Sequence, residues 1–435
     1  MKHEAILLET SETFGYYGIK RILVFKSKYL PIKKWSPINR PLFYFYLWGE
    51  IGIISITITS TQHYSMKKES ILLFLLLFFL GCKKQEIIEV SLSDDDSIYV
   101  GDLENLYSLD ASSGEKNWSF KSSLSYSSPI YDKGTVYCKG ITGVPFYGID
   151  AKTGLKKREP VGWDSNNRAS PIIYNDHLFQ LNYYGNILYA LNLNTGFKPW
   201  EFKSDVRNGS GYSTSPVIKN GVIYVIMSYK LYALDVQTGN VKWVYPLLYS
   251  YSSNSTPLVY DGVVYVTSLD ILYAINIADG KLKWELQFSK GFNGASSPII
   301  YNDILYINAK GNLYTIDAKT GKIILQSSFN VSNDYQTPFL KDGILYTSYF
   351  DTIFAINSKT ANIIWSSKLK GEISASPTVS NGTIYIGTKK GFFYAIDTDT
   401  GKIKWEFLSG IAFESSAFVL TKKGEVIYSN ITGSN

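Results

Sequence analysis

Few side chains in this sequence have the types and spacing needed for nucleophilic, redox or metal chemistry. The 435 residues include only 2 Cys and 3 His, too few for a cysteine-rich zinc site or a disulfide-dense scaffold. The cysteines are Cys82 and Cys138, and His177 is the only histidine beyond residue 63. His177 directly follows the turn residues Asn175 and Asp176, where a surface position is expected. We therefore predict no catalytic residue, no metal site and no cofactor.

Carboxylates recur along the chain, but their spacing is typical of turns. An Asp or Asn opens each copy of an Asp-x-x-Thr-Gly segment, from Asp110 to Asp397, and such side chains bond nearby backbone N–H groups. The three aspartates at 94–96 lack the ligand spacing and the Gly of a calcium-binding loop. We interpret them as part of a solvated linker.

The net charge excludes a nucleic-acid-binding role. Of the formal charge of +6, residues 1–65 contribute +4 (8 Lys/Arg against 4 acids) and residues 66–81 contribute +1. Residues 82–435 are left with +1 and no basic stripe of the kind that phosphate backbones require. We expect no nucleic-acid partner.

Residues 66–81 have the composition of a secretory signal peptide. Two lysines precede an apolar run at 71–80, which as a helix would cover about 15 Å, half of a ~30 Å hydrocarbon core. The run ends in Leu80-Gly81-Cys82, which resembles a bacterial lipobox, and this resemblance implies that Cys82 is lipidated. A buried core helix followed by a chance cysteine is the alternative interpretation.

The leader sets the expected domain boundaries and location. Residues 1–65 are interpreted as a mis-set start or an extra leader, 66–81 as the signal peptide, 82–96 as a polar tether and 97–435 as one domain. A lipid anchor at Cys82 predicts a protein of the bacterial cell envelope, held on a membrane surface, with the outer membrane as the favoured one.

A repeat of 40–43 residues runs through the domain and decides its architecture. The pattern aromatic-small-(Leu/Ile)-(Asp/Asn)-x-x-Thr-Gly-x-x-x-Trp begins at Tyr107, Tyr147, Tyr189, Tyr232, Tyr273, Tyr314, Phe354 and Tyr394. A Ser-Pro or Thr-Pro pair keeps the same register, and turns such as Asn220-Gly221 follow it between short apolar runs, a strong hairpin signal. Each unit is four short strands, which predicts an all-β, eight-bladed β-propeller of four-stranded antiparallel blades.

The Trp that ends the pattern is interpreted as packing between blades, because its large flat ring can fill the space between twisted sheets. Arg158 and Leu325 replace it twice, and Ala361 replaces the Gly once, so we expect those blades to pack less well. The predicted interblade residues are Trp118, Trp200, Trp243, Trp284, Trp365 and Trp405.

The ring is expected to close by mixing strands from the two termini. Third and fourth strands number eight from Tyr107 onward, and first strands number eight up to Ser416-Ala417. Such a join pairs edges that would otherwise be exposed. Residues 98–100 and 426–428 compete for the second strand of the closing blade, and the pattern does not choose between them.

The repeat, best seen at residues 394–405, resembles that of the pyrroloquinoline-quinone (PQQ) type β-propellers over residues 97–435. That superfamily includes quinoprotein dehydrogenases and also non-catalytic lipoproteins of the BamB type in the outer-membrane β-barrel assembly machinery. The dehydrogenases typically use neighbouring disulfide-bonded cysteines and a Ca²⁺ site. Once Cys82 is assigned to lipid, Cys138 is the only cysteine of the domain, so the resemblance favours the second group.

One face of such a ring is expected to bind a partner. First–second and third–fourth turns, which are uniform, lie on one face, while the second–third loops and interblade connections lie on the other and vary between copies. Divergent positions are free for recognition, and Tyr, Trp and Arg are typical of binding hot spots. The predicted partner-binding residues are Trp163, Arg168, Tyr183, Tyr184, Arg207, Tyr212, Tyr249, Tyr251, Phe292, Tyr335 and Phe413.

The sequence therefore predicts a non-catalytic, membrane-anchored scaffold for a protein partner, with the β-barrel assembly machinery as a candidate. A glycan or small-molecule binding module is an alternative, because aromatic side chains at the channel mouth could stack on rings. A residual PQQ-dependent dehydrogenase is a further alternative. A tyrosine-rich loop face could also simply reflect a tyrosine-rich composition.

Overall fold

A computed structural model describes residues 7–13, 20–26, 96–121, 127–139, 146–161, 169–182, 185–205, 214–248, 255–288, 296–309, 312–328 and 336–429. The chain divides into two compact units, Met1–Ile88 and Glu89–Asn435. In the first unit, the described residues form one antiparallel hairpin of Leu7–Thr13 and Lys20–Lys26. The predicted signal peptide, Cys82 and the tether up to residue 95 lie outside the described residues. Within the described ranges, no helix has the length and hydropathy needed to cross a membrane.

The second unit is an all-β, eight-bladed propeller, as the repeat predicts. Blades 1 to 7 are each a sheet of four consecutive antiparallel strands. Their bounds are Ile130–Asp132, Thr135–Lys139, Phe146–Asp150 and Lys156–Val161; Ile172–Tyr174, His177–Leu181, Ile187–Asn192 and Trp200–Lys203; Val217–Lys219, Val222–Met227, Lys230–Asp235 and Val241–Pro246; Leu258–Tyr260, Val263–Ser268, Ile271–Asn276 and Leu282–Gln287; Ile299–Tyr301, Ile304–Ala309, Asn312–Asp317 and Ile323–Ser328; Phe339–Lys341, Ile344–Tyr349, Thr352–Asn357 and Ile363–Lys368; Thr378–Ser380, Thr383–Gly387, Phe392–Asp397 and Ile403–Leu408.

Blade 8 joins the two ends of the domain and uses both of the segments that competed for its second strand. Its sheet order is Val426–Tyr428, Phe418–Leu420, Ser97–Gly101, Asn105–Asp110 and Lys116–Lys121. Ser97–Gly101 takes the second place because it is buried throughout. The half-buried Val426–Tyr428 pairs with the opposite side of the first strand, as a fifth strand.

Burial along each blade follows the strand order. The second and third strands are mostly buried, whereas the fourth strands are largely exposed, as at Leu282–Gln287. The predicted Asn-Gly hairpins are confirmed, for example at Asn220 and Gly221, whose φ angles are +51° and +73°. Both values are in the left-handed region, where Asn and Gly are the favoured residues.

The antiparallel order gives the ring two different faces. Turns between first and second strands, and between third and fourth strands, share one face, which we call the turn face. The second–third connections and the interblade connections share the opposite one, which we call the loop face. In blades 3, 4 and 6 the second–third connection has only two residues, as at Ser228-Tyr229 between Val222–Met227 and Lys230–Asp235.

Candidate protein-interaction site

Six tryptophans of the fourth strands join neighbouring blades. Each indole Nε1–H donates to a backbone carbonyl of the next blade: Trp118 to Ala151 (3.0 Å), Trp200 to Val236 (3.3 Å), Trp243 to Ile277 (2.8 Å), Trp284 to Ala318 (3.1 Å), Trp365 to Thr398 (2.8 Å) and Trp405 to Ala111 (3.1 Å). The ring also lies on the Gly of the next Thr-Gly turn, where a Cβ on Gly401 would be 2.5 Å from Trp365 Cε3. These side chains therefore pack between blades, and Trp405 closes the circle.

Two of the three departures from this arrangement lie opposite each other at one junction. Leu325 stands for Trp in blade 5, and Ala361 stands for Gly in blade 6 with a φ of +54°. Both belong to one apolar cluster, in which Ala361 is buried. Leu325 and Ala361 therefore contact the same apolar cluster, and the weaker packing expected of these blades stays a prediction.

The Ser-Pro and Thr-Pro pairs hydrogen-bond the first strands of neighbouring blades to one another. At six junctions the backbone N–H of this Ser or Thr donates to the hydroxyl of the equivalent Ser in the next blade: Ser128 to Ser170, Ser170 to Ser215, Thr256 to Ser297, Thr337 to Ser376, Ser376 to Ser416 and Ser416 to Ser128, at 2.8–3.1 Å. The eighth copy has lost its Pro but keeps this hydroxyl. Ser416 therefore still joins blade 8 to blade 1.

The fifth strand of blade 8 is fastened to the first strand of blade 1. The hydroxyl of Tyr428 accepts a bond from Tyr131 N (2.8 Å) and donates to Tyr131 O (3.4 Å), while its ring lies 5.3 Å from that of Phe418. Burial raises the pKa of Tyr428 to about 12, so the hydroxyl keeps its proton at neutral pH. The innermost strand is thus part of the ring closure.

Phe413 is the one predicted partner-binding residue within the described ranges, and the prediction is wrong for it. Its side chain is fully buried, near the rings of Tyr107 and Phe393 at 6.2 and 5.4 Å. A Cβ on Gly387 would lie 2.4 Å from the Phe413 Cβ, so the Phe packs over a glycine at the end of a strand. The others lie outside the described residues: Trp163, Arg168, Tyr183, Tyr184, Arg207, Tyr212, Tyr249, Tyr251, Phe292 and Tyr335.

The described part of the loop face instead presents apolar side chains on strained turns. Tyr229, Leu269 and Phe350 lie in the two-residue second–third turns of blades 3, 4 and 6, with φ of +63°, +53° and +50°. A left-handed conformation costs a non-Gly residue about 1–2 kcal/mol, and such strain is concentrated at functional sites. Phe350 is 57% exposed, and Leu248 on the same face is 51% exposed.

The sequence contained a signal for these residues that the repeat pattern does not include. Two-residue hairpin turns normally contain Gly, Asn or Asp at the positive-φ positions, and Leu269-Asp270 and Phe350-Asp351 have a bulky apolar residue first. A large side chain in place of the expected Gly marks these turns as candidates for recognition.

Polar side chains near the loop face are paired in the same way in two blades. Tyr107 donates to Asp102 (2.8 Å), and Tyr232 donates to Asp205 (3.1 Å), which also contacts Lys230 (2.5 Å). Burial, and then the adjacent carboxylate, raise the pKa of both tyrosines. Neither hydroxyl can therefore act as a base near neutral pH.

A family model describing the outer membrane protein assembly factor BamB matches residues 80–201, 184–337 and 331–433. The chain belongs to this family. Among curated proteins, none matches the sequence.

Solved structures show the same fold as this BamB-family chain. BamB from Moraxella catarrhalis is 17% identical with a TM-score of 0.55, covering 69% of this chain and 96% of that one. A europium-containing methanol dehydrogenase is 15% identical with a TM-score of 0.57, covering 71% and 83%. A quinohemoprotein alcohol dehydrogenase from Comamonas testosteroni is 12% identical with a TM-score of 0.53, covering 80% and 78%. At these identities the likeness concerns the fold alone.

The described residues of this BamB-family propeller bring together few side chains of the types that hold a metal ion. No group of three or more His, Cys, Asp or Glu side chains within the described ranges is arranged to hold a metal ion. Cys138 is the sole cysteine of residues 97–435, so no neighbouring-cysteine disulfide can form in the domain. His177 is part of the His177–Leu181 strand, with Nδ1 2.7 Å from the carbonyl of Asn175.

Cys138 is expected to be inert in the folded protein. Its thiol is buried, and desolvation raises its pKa from 9.0 to about 12. In a Cys82→Ser variant, alkylation by iodoacetamide at pH 8 should be at least about a hundredfold slower in the native protein than in urea, because the thiolate is the reactive form. Mass spectrometry of timed samples measures both rates. Rapid native labelling would contradict the buried position.

The same shift has a defined effect on stability. The pKa of the folded thiol lies above that of the unfolded thiol, so its contribution to the stability of the folded state is fully present below pH 9. That contribution is lost as the pH rises from 9 towards 12, because the unfolded thiol ionises in this range while the folded thiol stays protonated.

Proposed function

We propose that this chain is a lipid-anchored, non-catalytic scaffold that binds a protein partner through the loop face in the assembly of outer-membrane proteins. Membership of the BamB family supports the scaffold role. The observation that carries it is the difference between the faces. The first–second turns of the turn face consist of Asn, Asp, Gly and one Lys, whereas the loop face holds Tyr229, Leu269 and Phe350 on left-handed turns. Phe350 is the exposed one of the three, and an exposed apolar residue kept on a strained backbone is typical of a binding surface.

The entry of the chain into the propeller supports an orientation for the anchored protein. Asp96 accepts hydrogen bonds from Asn381 Nδ2 (2.6 Å) and from Lys422 N (3.0 Å). Both donors belong to turns of the turn face, so the chain that leads from Cys82 joins the ring on that side. In our proposal, lipid at Cys82 holds the turn face toward the membrane, and the loop face points away from it toward the partner. Attachment to the membrane raises the effective concentration of the scaffold for partners located there.

The Phe350→Gly variant separates a binding role from a structural one. Glycine tolerates the φ of +50°, so relief of about 1–2 kcal/mol of left-handed strain should exceed the roughly 0.5–1 kcal/mol that glycine's freedom in the unfolded chain costs, a small net stabilisation. Loss of the exposed ring should weaken partner binding about tenfold or more. Urea denaturation measures the first effect. The second is measured by crosslinking in intact membranes of the native host and quantifying β-barrel assembly components that co-purify with the chain.

Tyr301→Ala is the matched control, because Tyr301 is exposed at the turn-face end of its strand. This variant should leave crosslinking unchanged. Equal crosslinking by Phe350→Gly and the unmodified chain would contradict docking at Phe350. Dye reduction after reconstitution with PQQ and Ca²⁺ would contradict the non-catalytic role, and retention of a glycan without any protein partner would favour the binding-module alternative.

A further inference from the structure

The outer edge of blade 5 differs from the outer edges of the other blades. Each fourth strand is last in its sheet order, so no strand of the described residues pairs with its outer side. Proteins commonly block such edges with lysines, prolines and bulges. Seven fourth strands contain a charged residue, but Ile323–Ser328 has the sequence IILQSS, with neither charge nor proline.

The bulge residue of the outer strand is a lysine in some blades and an isoleucine in blades 5 and 6. In blades 3 and 7 the bulge residue is Lys242 or Lys404, and each lies 3.3 Å from the Asp that opens its own third–fourth turn. In blade 5 the bulge residue is Ile324, which is 55% exposed. Blade 6 has the exposed Ile364 at the same position, but its outer strand also contains Lys368, whereas the outer strand of blade 5 contains no charged residue at all.

The neighbouring residues make the same edge more apolar. Ile323 is also exposed, and Leu325 replaces the Trp found at six of the eight equivalent positions. A strand added beside Ile323–Ser328 would bury no charged side chain of this edge. The same addition to the other blades would desolvate Lys, Arg or Glu side chains, which is costly without a partner of opposite charge.

We infer that the outer edge of blade 5 is a strand-addition site for an uncharged, aliphatic-rich extended segment of another polypeptide. An uncharged edge offers no partner for a charged side chain of the added strand, so an uncharged segment is favoured. Backbone hydrogen bonds between the two strands provide the affinity. This surface lies on the perimeter of the ring and is distinct from the loop face. A partner docked on the loop face can therefore be bound at the same time.

The test uses a fluorescent peptide of about six residues, the common strand length, with alternating Thr and Val flanked by uncharged Ser and Gly. Anisotropy titration of the full-length chain should show saturable binding. Ile324→Lys, which introduces the lysine present at this position in blades 1, 3, 4 and 7, should weaken binding about tenfold. Ile364→Lys is the matched control, because Ile364 is the exposed bulge residue of blade 6, and it should leave binding within about twofold.

A second measurement removes the N–H donors from the peptide and leaves the protein unaltered. Successive N–H groups of a strand point to opposite edges, so a peptide N-methylated at alternate residues can still pair through its unmodified edge, whereas a peptide N-methylated at every residue has no donor left and should not bind. The inference is overturned by unchanged binding of the fully methylated peptide, by absence of peptide binding, or by equal weakening in Ile364→Lys. It is also overturned if sedimentation shows a dimer of the unmodified chain that Ile324→Lys dissociates, since the occupant is then a second copy.

Discussion

Replacement of Gly401 by alanine is expected to destabilise the propeller by about 2–5 kcal/mol, from left-handed strain and overpacking together. The φ of Gly401 is +70°, and an added Cβ would lie 2.5 Å from Trp365. The indole is held by its hydrogen bond to Thr398 O, so it cannot move away without losing that bond. Urea denaturation, with midpoints compared at equal slope, measures the loss.

Gly196 provides the matched control for this substitution. It holds the same place in its blade with a φ of +69°, but among the described side chains a Cβ there would meet no atom within 4 Å. The preceding blade has Arg158 at the position that is Trp in six of the eight blades. Gly196→Ala should therefore cost only the backbone strain, about 1–2 kcal/mol. Equal losses in the two variants would show that the indole contact contributes nothing.

Leu325→Trp is expected to destabilise the junction of blades 5 and 6 by about 1–3 kcal/mol, because the indole would overlap the Cβ of Ala361. The double variant Leu325→Trp/Ala361→Gly should recover most of that loss, since it recreates the Trp-on-Gly contact of the other junctions. Denaturation of the two single variants and the double variant gives the coupling free energy, expected to be about 1–3 kcal/mol.

Ala361→Gly by itself separates the two contributions at this junction. It relieves the φ of +54° but leaves a gap beside Leu325, so its net effect should be small. Additive effects in the double variant would contradict direct packing between residues 325 and 361. A stabilising Leu325→Trp single variant would also contradict it.

The sequence predicted the features that each repeat specifies locally. Hairpin turns such as Asn220-Gly221 depend on the conformational preferences of adjacent residues, and the four-strand unit follows from short apolar runs between them. The Asx side chains behave as expected, since Asp397 Oδ1 accepts from the N–H and the hydroxyl of Thr400 at 2.9 and 2.8 Å. These contacts span only three residues of chain, so the local sequence contains both partners.

Partner-binding positions were harder to predict because exposure is a property of the assembled ring. Phe413 belongs to a variable interblade segment, and that variability favoured a surface position. The structure buries it because Gly387, 26 residues earlier in the chain, leaves room for its ring. Phe350 is missed for the opposite reason. Its turn has the same short length in several blades, which favours a structural role, and only the structure shows its positive φ and its exposed ring.

By itself, the sequence determined the all-β class, the eight repeats, the mixing of termini at the closure and the scarcity of catalytic side chains. Only the tertiary structure decided which segment fills the second place in blade 8, which replacements lie opposite each other at one junction and which apolar side chains remain exposed. The physical reason is the separation of the partners along the chain. Tyr131 and Tyr428 are 297 residues apart, and Trp405 and Ala111 are 294 apart, so their contacts exist only when the ring is closed.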